Sequence, residues 1–228
     1  MLLRDFFFSY RSILLECLRK KNFFLFLRKL VNLPYKLLAN LFKKKFFKSY
    51  TNLDIKNNTE LSKKNIDNLF LNFNCDKGSS IILNGKKVKS HNYSIFFEKY
   101  LRTFKSKNIN ILELGSHEGK GIASFFYYFP NSKLYAANIN PFQLKYFSKR
   151  IREFYVDVSS KKTMRNLAEY LDEYFDVIID DASHNLSDIL YALPIFFKKL
   201  KKGGYYIIED IDQFKVFKNL NPKNEKLT

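Results

Sequence analysis

The second half of the chain alternates between short apolar runs and amphipathic stretches. The runs at 177–179 and 205–208 are continuously apolar, as is typical of strands that are buried on both faces of a sheet. The longer stretches between the runs repeat apolar residues at helical spacing. The pattern predicts strands at 111–114, 133–138, 154–157, 175–180 and 204–209, and helices at about 119–128, after Pro141, at about 160–172 and at about 186–200.

Strands that alternate with helices at this spacing favour one fold class. A strand, a crossover helix and a second strand form a right-handed unit with parallel strands, and helices cover both faces of such sheets. We therefore predict an α/β domain built on a parallel sheet. In this topology the fourth and fifth predicted strands are neighbours, so their carboxyl ends meet at one side of a cleft.

The first half of the chain has a different pattern. Apolar and aromatic residues recur at helical spacing on both sides of Pro34, which predicts two basic helices within the first 50 residues. Polar residues at 51–66 are typical of a linker, Asn84-Gly85 between apolar residues predicts a hairpin, and 93–104 has the pattern of a helix. The predicted division of the chain is a basic amphipathic helical extension at 1–50, a linker or lead-in at 51–74 and the α/β domain at 75–228.

Composition excludes several classes of protein. The chain has 228 residues and two cysteines, Cys17 and Cys75, so a disulfide framework is excluded and a reducing compartment such as the cytoplasm is favoured. Two cysteines and three histidines also argue against a four-ligand zinc site. No apolar run reaches the roughly 18 residues that indicate a transmembrane helix.

The net charge of +18 is distributed unevenly along the chain. Residues 1–50 carry 12 Lys and Arg against 2 acidic residues, whereas residues 111–210 carry 13 of each kind. The N-terminal excess has three interpretations: contact with an anionic membrane surface, binding of nucleic acid or an anionic glycan, or packing as a helical layer with its lysines in solvent. No nucleic-acid-binding motif supports the second. The predicted location is the cytoplasm, with peripheral contact at the inner face of the membrane.

Three of the seven glycines lie between the first predicted strand and the helix after it. Gly115, Gly119 and Gly121 allow the backbone to approach a ligand closely, and the helix N-terminus offers free N–H groups there. A tight turn without a ligand is the alternative. The spacing does not fit a dinucleotide fingerprint, which needs Gly where His117 and Lys120 stand, so a nicotinamide-dependent oxidoreductase is disfavoured.

Acidic residues end the fourth and fifth predicted strands. Asp180 and Asp181 follow the fourth, Glu209 and Asp210 follow the fifth, and His184 lies three residues beyond Asp181. Like charges held close together must be paired, neutralised or bound to a cation, and carboxylates are ligands that Mg²⁺ prefers. A neutral imidazole beside such a cation could accept a proton from a substrate hydroxyl. The alternative is that these acids cap the next helix and the histidine lies at the surface.

The glycine turn resembles the first motif of the class I S-adenosylmethionine-dependent methyltransferases. In that family an acidic residue ends the first strand and a Gly-x-x-x-Gly turn follows, and Glu113, Gly115 and Gly119 occupy these places. The resemblance implies a Rossmann-like fold and S-adenosylmethionine as cofactor. The family has an acid at the end of the second strand, where Asn138 stands, and a polar residue at the end of the third, where Asp157 stands.

The acidic segments resemble a narrower group within this class. Asp-Asp-Ala-Ser-His at 180–184 and Gly-Gly-Tyr-Tyr-Ile-Ile-Glu-Asp at 203–210 are similar to segments of the metal-dependent sugar O-methyltransferases of macrolide biosynthesis, of the macrocin and mycinamicin type. The segments Asp-Lys-Gly at 76–78 and His-Asn-Tyr at 91–93 also resemble that group. The resemblance covers about residues 75–212.

This resemblance implies roles for individual residues. Asp181 and Asp210 would be metal ligands, with Glu98 as a third, and His184 would be the general base. The alternative for Glu98 is an ion pair with Arg102 on an exposed helix. The implied cofactor-binding residues are Glu113, Gly115, Ser116, Gly119, Asn138, Asp157 and Asp180.

The function that the sequence predicts is an O-methyltransferase that uses S-adenosylmethionine and Mg²⁺, or another divalent cation, to methylate a hydroxyl of a sugar, glycoside or polysaccharide. The alternative is a degenerate, non-catalytic binding module at a membrane surface, which Asn138 and the short C-terminus favour. Only 18 residues follow Asp210, whereas the sheet of the family continues with a helix and two strands. We therefore expect a truncated reading frame or a missing sheet edge, with one short helix at 211–220, and an exposed edge that favours homo-oligomers.

Overall fold

The computed structural model describes residues 1–46, 50–55 and 59–211. The predicted helix at 211–220 and the predicted absence of C-terminal strands concern a part of the chain that lies outside these residues, apart from Ile211. The nine strands of the described residues are β1 (Thr51–Asn52), β2 (Ser80–Leu83), β3 (Lys86–Lys89), β4 (Asn110–Leu114), β5 (Lys133–Asn138), β6 (Tyr146–Phe147), β7 (Ile151–Tyr155), β8 (Phe175–Asp180) and β9 (Leu200–Ile208). The α-helices there are α1 (Leu3–Arg19), α2 (Phe23–Val31), α3 (Leu33–Phe46), α4 (Thr59–Lys63), α5 (Ile66–Asn72), α6 (Ser94–Leu101), α7 (Lys120–Tyr128), α8 (Lys161–Tyr170) and α9 (Leu186–Phe196).

Five parallel strands form the central sheet in the order β7-β5-β4-β8-β9. The chain moves outward in one direction from β4 to β7 and then crosses back to β8, so the strand order reverses between β4 and β8. In open α/β sheets ligands bind beyond the carboxyl ends of the strands at such a reversal. β8 and β9 are neighbours, with Asp180 opposite Ile208. The predicted α/β fold with a parallel sheet is therefore confirmed.

Apolar side chains form one core layer on each face of the sheet, because successive strand residues point to opposite faces. Ile111 packs in the layer beneath α5, α6 and α7, whereas Leu112 and Leu114 pack in the layer beneath α8 and α9. Helices thus cover both faces of the sheet, as predicted. No helix in the described ranges combines the length and the apolar character that crossing a bilayer requires.

The helix that was predicted after Pro141 does not form. Residues Pro141–Gln143 make a single 3-10 turn, and the chain then extends into β6 and β7. β6 pairs in parallel with β1, and the Thr51 N–H donates to the Lys145 carbonyl over 2.8 Å. Pairing with a distant segment therefore decides the conformation here, and the local helical pattern does not.

The basic extension contains three helices, whereas two were predicted. The additional break follows α1, where Lys21 has a positive φ of 53° and the Asn22 side chain accepts a hydrogen bond from the Leu25 N–H at the start of α2. Such an N-cap favours a new helix start. Pro34 lies in the first turn of α3, a position where proline is tolerated because its missing N–H has no intrahelical partner.

Helix α1 packs along β7, which is an edge strand of the central sheet. The Ser9 hydroxyl accepts a hydrogen bond from the Tyr155 N–H at 3.0 Å. Arg152 of β7 donates to both carboxylate oxygens of the fully buried Asp5 at 3.0 Å. Of the three interpretations of the N-terminal segment, packing as a helical layer describes α1. This helix covers a sheet edge that would otherwise offer unpaired N–H and C=O groups.

The predicted lead-in at 51–74 contains β1, α4 and α5. Ile66, Leu69 and Phe70 of α5 are buried against α7. The predicted hairpin is formed by β2 and β3 around Asn84-Gly85, where both residues have positive φ, as a two-residue hairpin turn of this type requires. The division of the chain into extension, lead-in and α/β domain stays a prediction.

Candidate functional site

The loop between β4 and α7 approaches the loop after β8 very closely. Gly115 has a φ of +87°, and a Cβ atom at this position would lie 1.9 Å from the carbonyl oxygen of Asp181. The Gly115 N–H donates to the Ala137 carbonyl at 2.8 Å, which ties the turn to β5 as well. A glycine is therefore required where three strand ends meet, both for the left-handed backbone and for the close approach.

Replacing Gly115 with alanine should destabilise the fold by about 2–5 kcal/mol, because a left-handed penalty of about 1–2 kcal/mol adds to the overpacking against Asp181. Gly203→Ala is the matched control: Gly203 also has a positive φ, of +79°, but a Cβ there would meet nothing within 4 Å. That control should lose only about 1–2 kcal/mol. Urea unfolding followed by circular dichroism measures both, and equal losses would contradict the close approach.

Two hollows adjoin this turn and share Gly115, Asn138 and Ala182 as lining residues. The larger has a volume of about 430 Å³ and is also lined by Glu113 and Ser116. The smaller, of about 240 Å³, is also lined by Asp157. The structure thus brings five of the seven predicted cofactor-binding residues together at the carboxyl ends of β4, β5 and β7: Glu113, Gly115, Ser116, Asn138 and Asp157.

The other two predicted cofactor-binding residues, Asp180 and Gly119, line neither hollow. Asp180 is buried, and its carboxylate accepts a hydrogen bond from the Tyr206 hydroxyl at 3.3 Å. Burial raises the pKa of Asp180 to about 6. Gly119 begins α7 with a φ of +83°, and a Cβ there would lie 2.4 Å from Leu144 Cδ1. The predicted contact of these two residues with a cofactor stays a prediction.

The extension reaches the smaller hollow through Lys20. Its Nζ donates to Asp157 Oδ2 at 2.7 Å, and Ser159 donates to the other carboxylate oxygen through its hydroxyl at 2.6 Å. Burial raises the pKa of Asp157, but the hydrogen bonds from Lys20 and Ser159 outweigh it and hold the pKa below its ordinary value. Lys20 was not predicted, because the two residues lie 137 positions apart and no local pattern links them.

Lys20→Met should cost less than about 1 kcal/mol at pH 7, because the lysine side chain is half exposed. The folded pKa of Asp157 is depressed, so the contribution of the ion pair is present above the unfolded pKa and is lost as the pH falls. The difference in unfolding free energy between wild type and variant should therefore persist from pH 7 down to about pH 4 and shrink below it. Urea titrations at several pH values measure it, with exposed Lys162→Met as control. A difference that does not vary with pH would contradict the ion pair.

The side chains of two predicted metal ligands and of the predicted base lie together at the carboxyl ends of β8 and β9. One ligand atom from each of Asp181, His184 and Asp210 lies within 4.8 Å of the others. His184 Nε2 is 3.1 Å from Asp181 Oδ1. Tyr93 donates its hydroxyl to Asp210 Oδ1, and His91 Nδ1 lies 3.4 Å from the same oxygen. The juxtaposition of two carboxylates and one imidazole follows from the pairing of β8 with β9.

Lys77 lies in the middle of the carboxylates and is 3% exposed. Its Nζ donates to Glu209 Oε2 at 2.6 Å and to Asp181 Oδ2, and it lies 3.7 Å from Glu113 Oε1. Burial lowers the pKa of Lys77, but the carboxylates of Glu209, Glu113 and Asp181 outweigh it and raise the pKa well above its ordinary value. Lys77 was noted only as part of the Asp-Lys-Gly segment, and no role was predicted for it.

The carboxylates outnumber the cation that Lys77 supplies. Glu113 Oε2 and Glu209 Oε1 are buried oxygens without a hydrogen-bond partner in the described part of the chain. Burial raises the pKa of Glu113 to about 7 and also raises that of Glu209, with Lys77 opposing both shifts. Three acids within 4 Å of one ammonium group leave two orphaned carboxylate oxygens at the site. This donor set, rich in carboxylate oxygens, fits a hard divalent cation.

Glu98, the third predicted metal ligand, is not part of this group. It lies on α6, where its Oε2 accepts a hydrogen bond from the Tyr128 hydroxyl at 2.7 Å and its Oε1 lies 3.9 Å from Arg102. The contact with Arg102 corresponds to the alternative that the sequence left open. We therefore leave Glu98 out of the proposed ligand set.

Comparison with known proteins matches the family described as a methyltransferase domain to residues 105–228. Among curated proteins, 8-demethyl-8-alpha-L-rhamnosyl tetracenomycin-C 2'-O-methyltransferase of Streptomyces olivaceus is 24% identical over 53% of this chain and 33% of its own length. L-olivosyl-oleandolide 3-O-methyltransferase of Streptomyces antibioticus is 27% identical over 64% of this chain and 36% of its own. Mycinamicin VI 2''-O-methyltransferase of Micromonospora griseorubida is 24% identical over 53% and 32%. The chain thus spans about a third of the length of these relatives.

Solved structures give the same picture of the fold. The MycE methyltransferase from the mycinamycin biosynthetic pathway, in complex with Mg and SAH, superimposes with a TM-score of 0.55 at 20% identity, over 65% of this chain and 37% of that one. The MycE complex that also contains mycinamycin VI gives 0.55 at 18% identity, over 76% and 44%. At this identity the likeness establishes the fold.

Proposed function

Because the chain belongs to the methyltransferase domain family, we propose that it transfers the methyl group of S-adenosylmethionine to a hydroxyl of a sugar or glycoside. The observation that carries the proposal is the convergence of Asp181, His184 and Asp210 beside the glycine turn of β4. The curated relatives, which are named as sugar O-methyltransferases, support the class of acceptor. The placement of the protein in the cytoplasm, its homo-oligomeric state and a polysaccharide acceptor stay predictions.

The cofactor would lie across the two hollows that meet at Gly115. Gly115 and Asn138 line both hollows, and Asn138 at the end of β5 would hydrogen-bond a ribose hydroxyl. Asp157 at the smaller hollow would accept a hydrogen bond from the adenine amino group. The sulfonium methyl is electrophilic when bound, so the protein has to align it and needs no covalent intermediate.

Asp181 and Asp210 would hold the divalent cation, with the orphaned Glu209 Oε1 available as a further oxygen. Such a cation acts as a Lewis acid that lowers the pKa of a nearby hydroxyl. Lys77 holds Asp181 and Glu209 in place through hydrogen bonds and leaves one oxygen of each outside these bonds. The protein thereby orients its own ligands before any cation arrives.

His184 would take the acceptor proton. With Nε2–H donating to Asp181 Oδ1 at 3.1 Å, Nδ1 carries the free lone pair. The acceptor hydroxyl transfers its proton to Nδ1 while its oxygen forms a bond to the methyl carbon. The carbon–sulfur bond breaks with its electron pair on sulfur, which leaves neutral S-adenosylhomocysteine and a methyl ether. His184 then releases the proton to solvent, because its side chain is about one-third exposed.

Calorimetry with S-adenosylmethionine tests the cofactor, and Mn²⁺ titration followed by electron paramagnetic resonance tests the cation site. We expect binding of both, and a large loss of Mn²⁺ affinity in Asp181→Ala but not in the exposed control Asp172→Ala. Absence of cofactor binding with and without Mg²⁺ would reject the enzyme function. Cofactor binding together with Mn²⁺ affinity that Asp181→Ala leaves unchanged would reject the proposed ligands alone.

A non-catalytic binding module is the second candidate, and two observations favour it. Lys77 already places a positive charge among Glu113, Asp181 and Glu209. Asn138 stands where the family has an acid, and its amide donates to the His117 carbonyl at 3.3 Å. This candidate predicts binding of S-adenosylmethionine without Mn²⁺ affinity and without transfer of labelled methyl groups to any glycoside. Detection of Mn²⁺ binding or of methyl transfer to a glycoside excludes this candidate.

A further inference from the structure

Helix α2 presents an apolar face without a partner among the described residues. Phe24 and Val31 are each 78% exposed, and no residue of α2 is buried. The exposed apolar positions follow one another at intervals of one or three residues, which places them on a single helix face. The exposed apolar residues of α2 are Phe23, Phe24, Leu27, Leu30 and Val31.

The opposite side of α2 anchors it to the rest of the protein. Leu25 and Phe26 pack against a small cluster formed by Ile13, Cys17 and Tyr155. This cluster joins α1 to β7 of the central sheet. The exposed face of α2 therefore points away from the α/β domain, and it is held in that direction by packing on its other side.

Helix α3 extends the exposed apolar area. Its large exposed residues also recur mainly at three- and four-residue intervals. We define the N-terminal apolar surface as these exposed large residues of both helices: Phe23, Phe24, Leu27, Leu30, Val31, Tyr35, Leu38 and Leu41. Exposed apolar helix faces of this kind mark an interaction site more often than a free surface.

The charge of this segment identifies the kind of partner. No acidic residue occurs between Glu16 and Asp54, an interval that carries ten Lys and Arg. Lys21 and Arg28 are exposed and adjoin the apolar face of α2. Cations beside an apolar helix face complement anionic lipid headgroups above acyl chains. The same excess of positive charge repels a second copy of the surface, so a homodimer through this face is disfavoured.

We propose that the N-terminal apolar surface binds the interface of an anionic lipid bilayer, with α2 and α3 lying in the plane of the membrane. With 9 and 14 residues, these helices are too short to span the hydrocarbon core, which needs roughly 20 residues. Phe and Leu side chains enter the headgroup boundary, and lysines and arginines remain at the level of the phosphates. The proposal goes beyond the methyl transfer and does not depend on it.

Flotation with lipid vesicles tests the proposal on the full chain. We expect binding to vesicles that contain phosphatidylglycerol and at least about tenfold weaker binding to pure phosphatidylcholine. Phe24→Ser/Val31→Ser should weaken binding at least about tenfold, because two inserted side chains are lost. Lys21→Gln/Arg28→Gln should also weaken it about tenfold or more, and this effect should disappear at high salt.

The matched control is Ile95→Ser/Tyr174→Ser, which removes two exposed large residues, 65% and 54% exposed, outside the surface. It should bind vesicles like wild type. Equal binding to both lipid compositions, or unchanged binding in both N-terminal variants, would overturn the proposal. So would self-association without lipid that Phe24→Ser/Val31→Ser abolishes, or tighter binding to a single-stranded RNA than to the vesicles. All measurements omit S-adenosylmethionine, so their outcome is separate from that of the proposed methyl transfer.

Discussion

Replacing Lys77 with methionine should destabilise the folded chain by about 3–5 kcal/mol at pH 8, in the presence of a metal chelator. The substitution preserves an apolar stem of similar length but removes the ammonium group that contacts Asp181, Glu209 and Glu113. Glu113 and Glu209 are buried, and their charges would lose their cationic partner. Breaking a buried ion pair from one side costs more than the pair contributes, because the remaining charge stays desolvated. Urea unfolding followed by circular dichroism measures the loss, since the chain contains no tryptophan.

The loss in Lys77→Met should depend on pH in one direction. Burial already raises the pKa of Glu113 to about 7 and raises that of Glu209, and removing Lys77, which opposes both shifts, raises them further. A carboxyl whose folded pKa lies above its unfolded value stabilises the fold at low pH, and this contribution is lost as the pH rises through the folded pKa. The deficit of the variant relative to wild type should therefore shrink between pH 8 and pH 5.

A double variant controls for the loss of packing. Lys77→Met/Glu209→Gln removes one of the stranded charges, so part of the stability should return at pH 8. If the deficit came only from the shape of the side chain, the second substitution would not restore stability and the deficit would not vary with pH. Either result would contradict the electrostatic role of Lys77.

Replacing His184 with alanine should lower kcat about 10²- to 10⁴-fold and leave the affinity for S-adenosylmethionine unchanged, because a positioned base acts on the acceptor and not on the cofactor. His184→Gln, which retains a polar side chain but cannot accept the proton, should be impaired to a similar degree. Lys202→Ala, an exposed position on β9, is the activity control.

The assay for these variants follows labelled methyl groups from the cofactor to glycosides, with cofactor affinity measured by calorimetry on the same samples. Turnover that survives in both His184 variants would reject the assignment of the base. If cofactor binding is lost together with turnover, His184 instead maintains the shape of the cofactor-binding hollow.

Most of the fold could be predicted from the local pattern of apolar and polar residues. The run at 177–179 is apolar throughout and fully buried, so the strand and its burial share one signal. The pairing of β8 with β9 follows from topology, and it correctly brought Asp181, His184 and Asp210 together. The segment after Pro141 failed this reasoning, because its partner β1 lies far away in the chain and has only two residues.

The contacts that complete the site could not be predicted from local pattern. Lys77 lies 104 residues from Asp181 and 132 from Glu209, and Lys20 lies 137 from Asp157. A lysine in a polar segment normally reaches solvent, so its burial depends on how the segment before β2 packs against the carboxyl ends of β4, β8 and β9. Glu98 shows the converse: a helix acid of the expected type has a different partner because Tyr128 lies closer.

The packing of α1 against β7 has a consequence for the order of events during synthesis. Ser9 and the Tyr155 N–H that it accepts from are separated by 146 positions. At translation rates of about 5–20 residues per second, Tyr155 is made roughly 7–30 seconds after Ser9. During that interval the aromatic, basic N-terminus has left the ribosome without the strand that later covers it. The apolar residues of α1 are therefore exposed to solvent and to aggregation before the strand that they pack against exists.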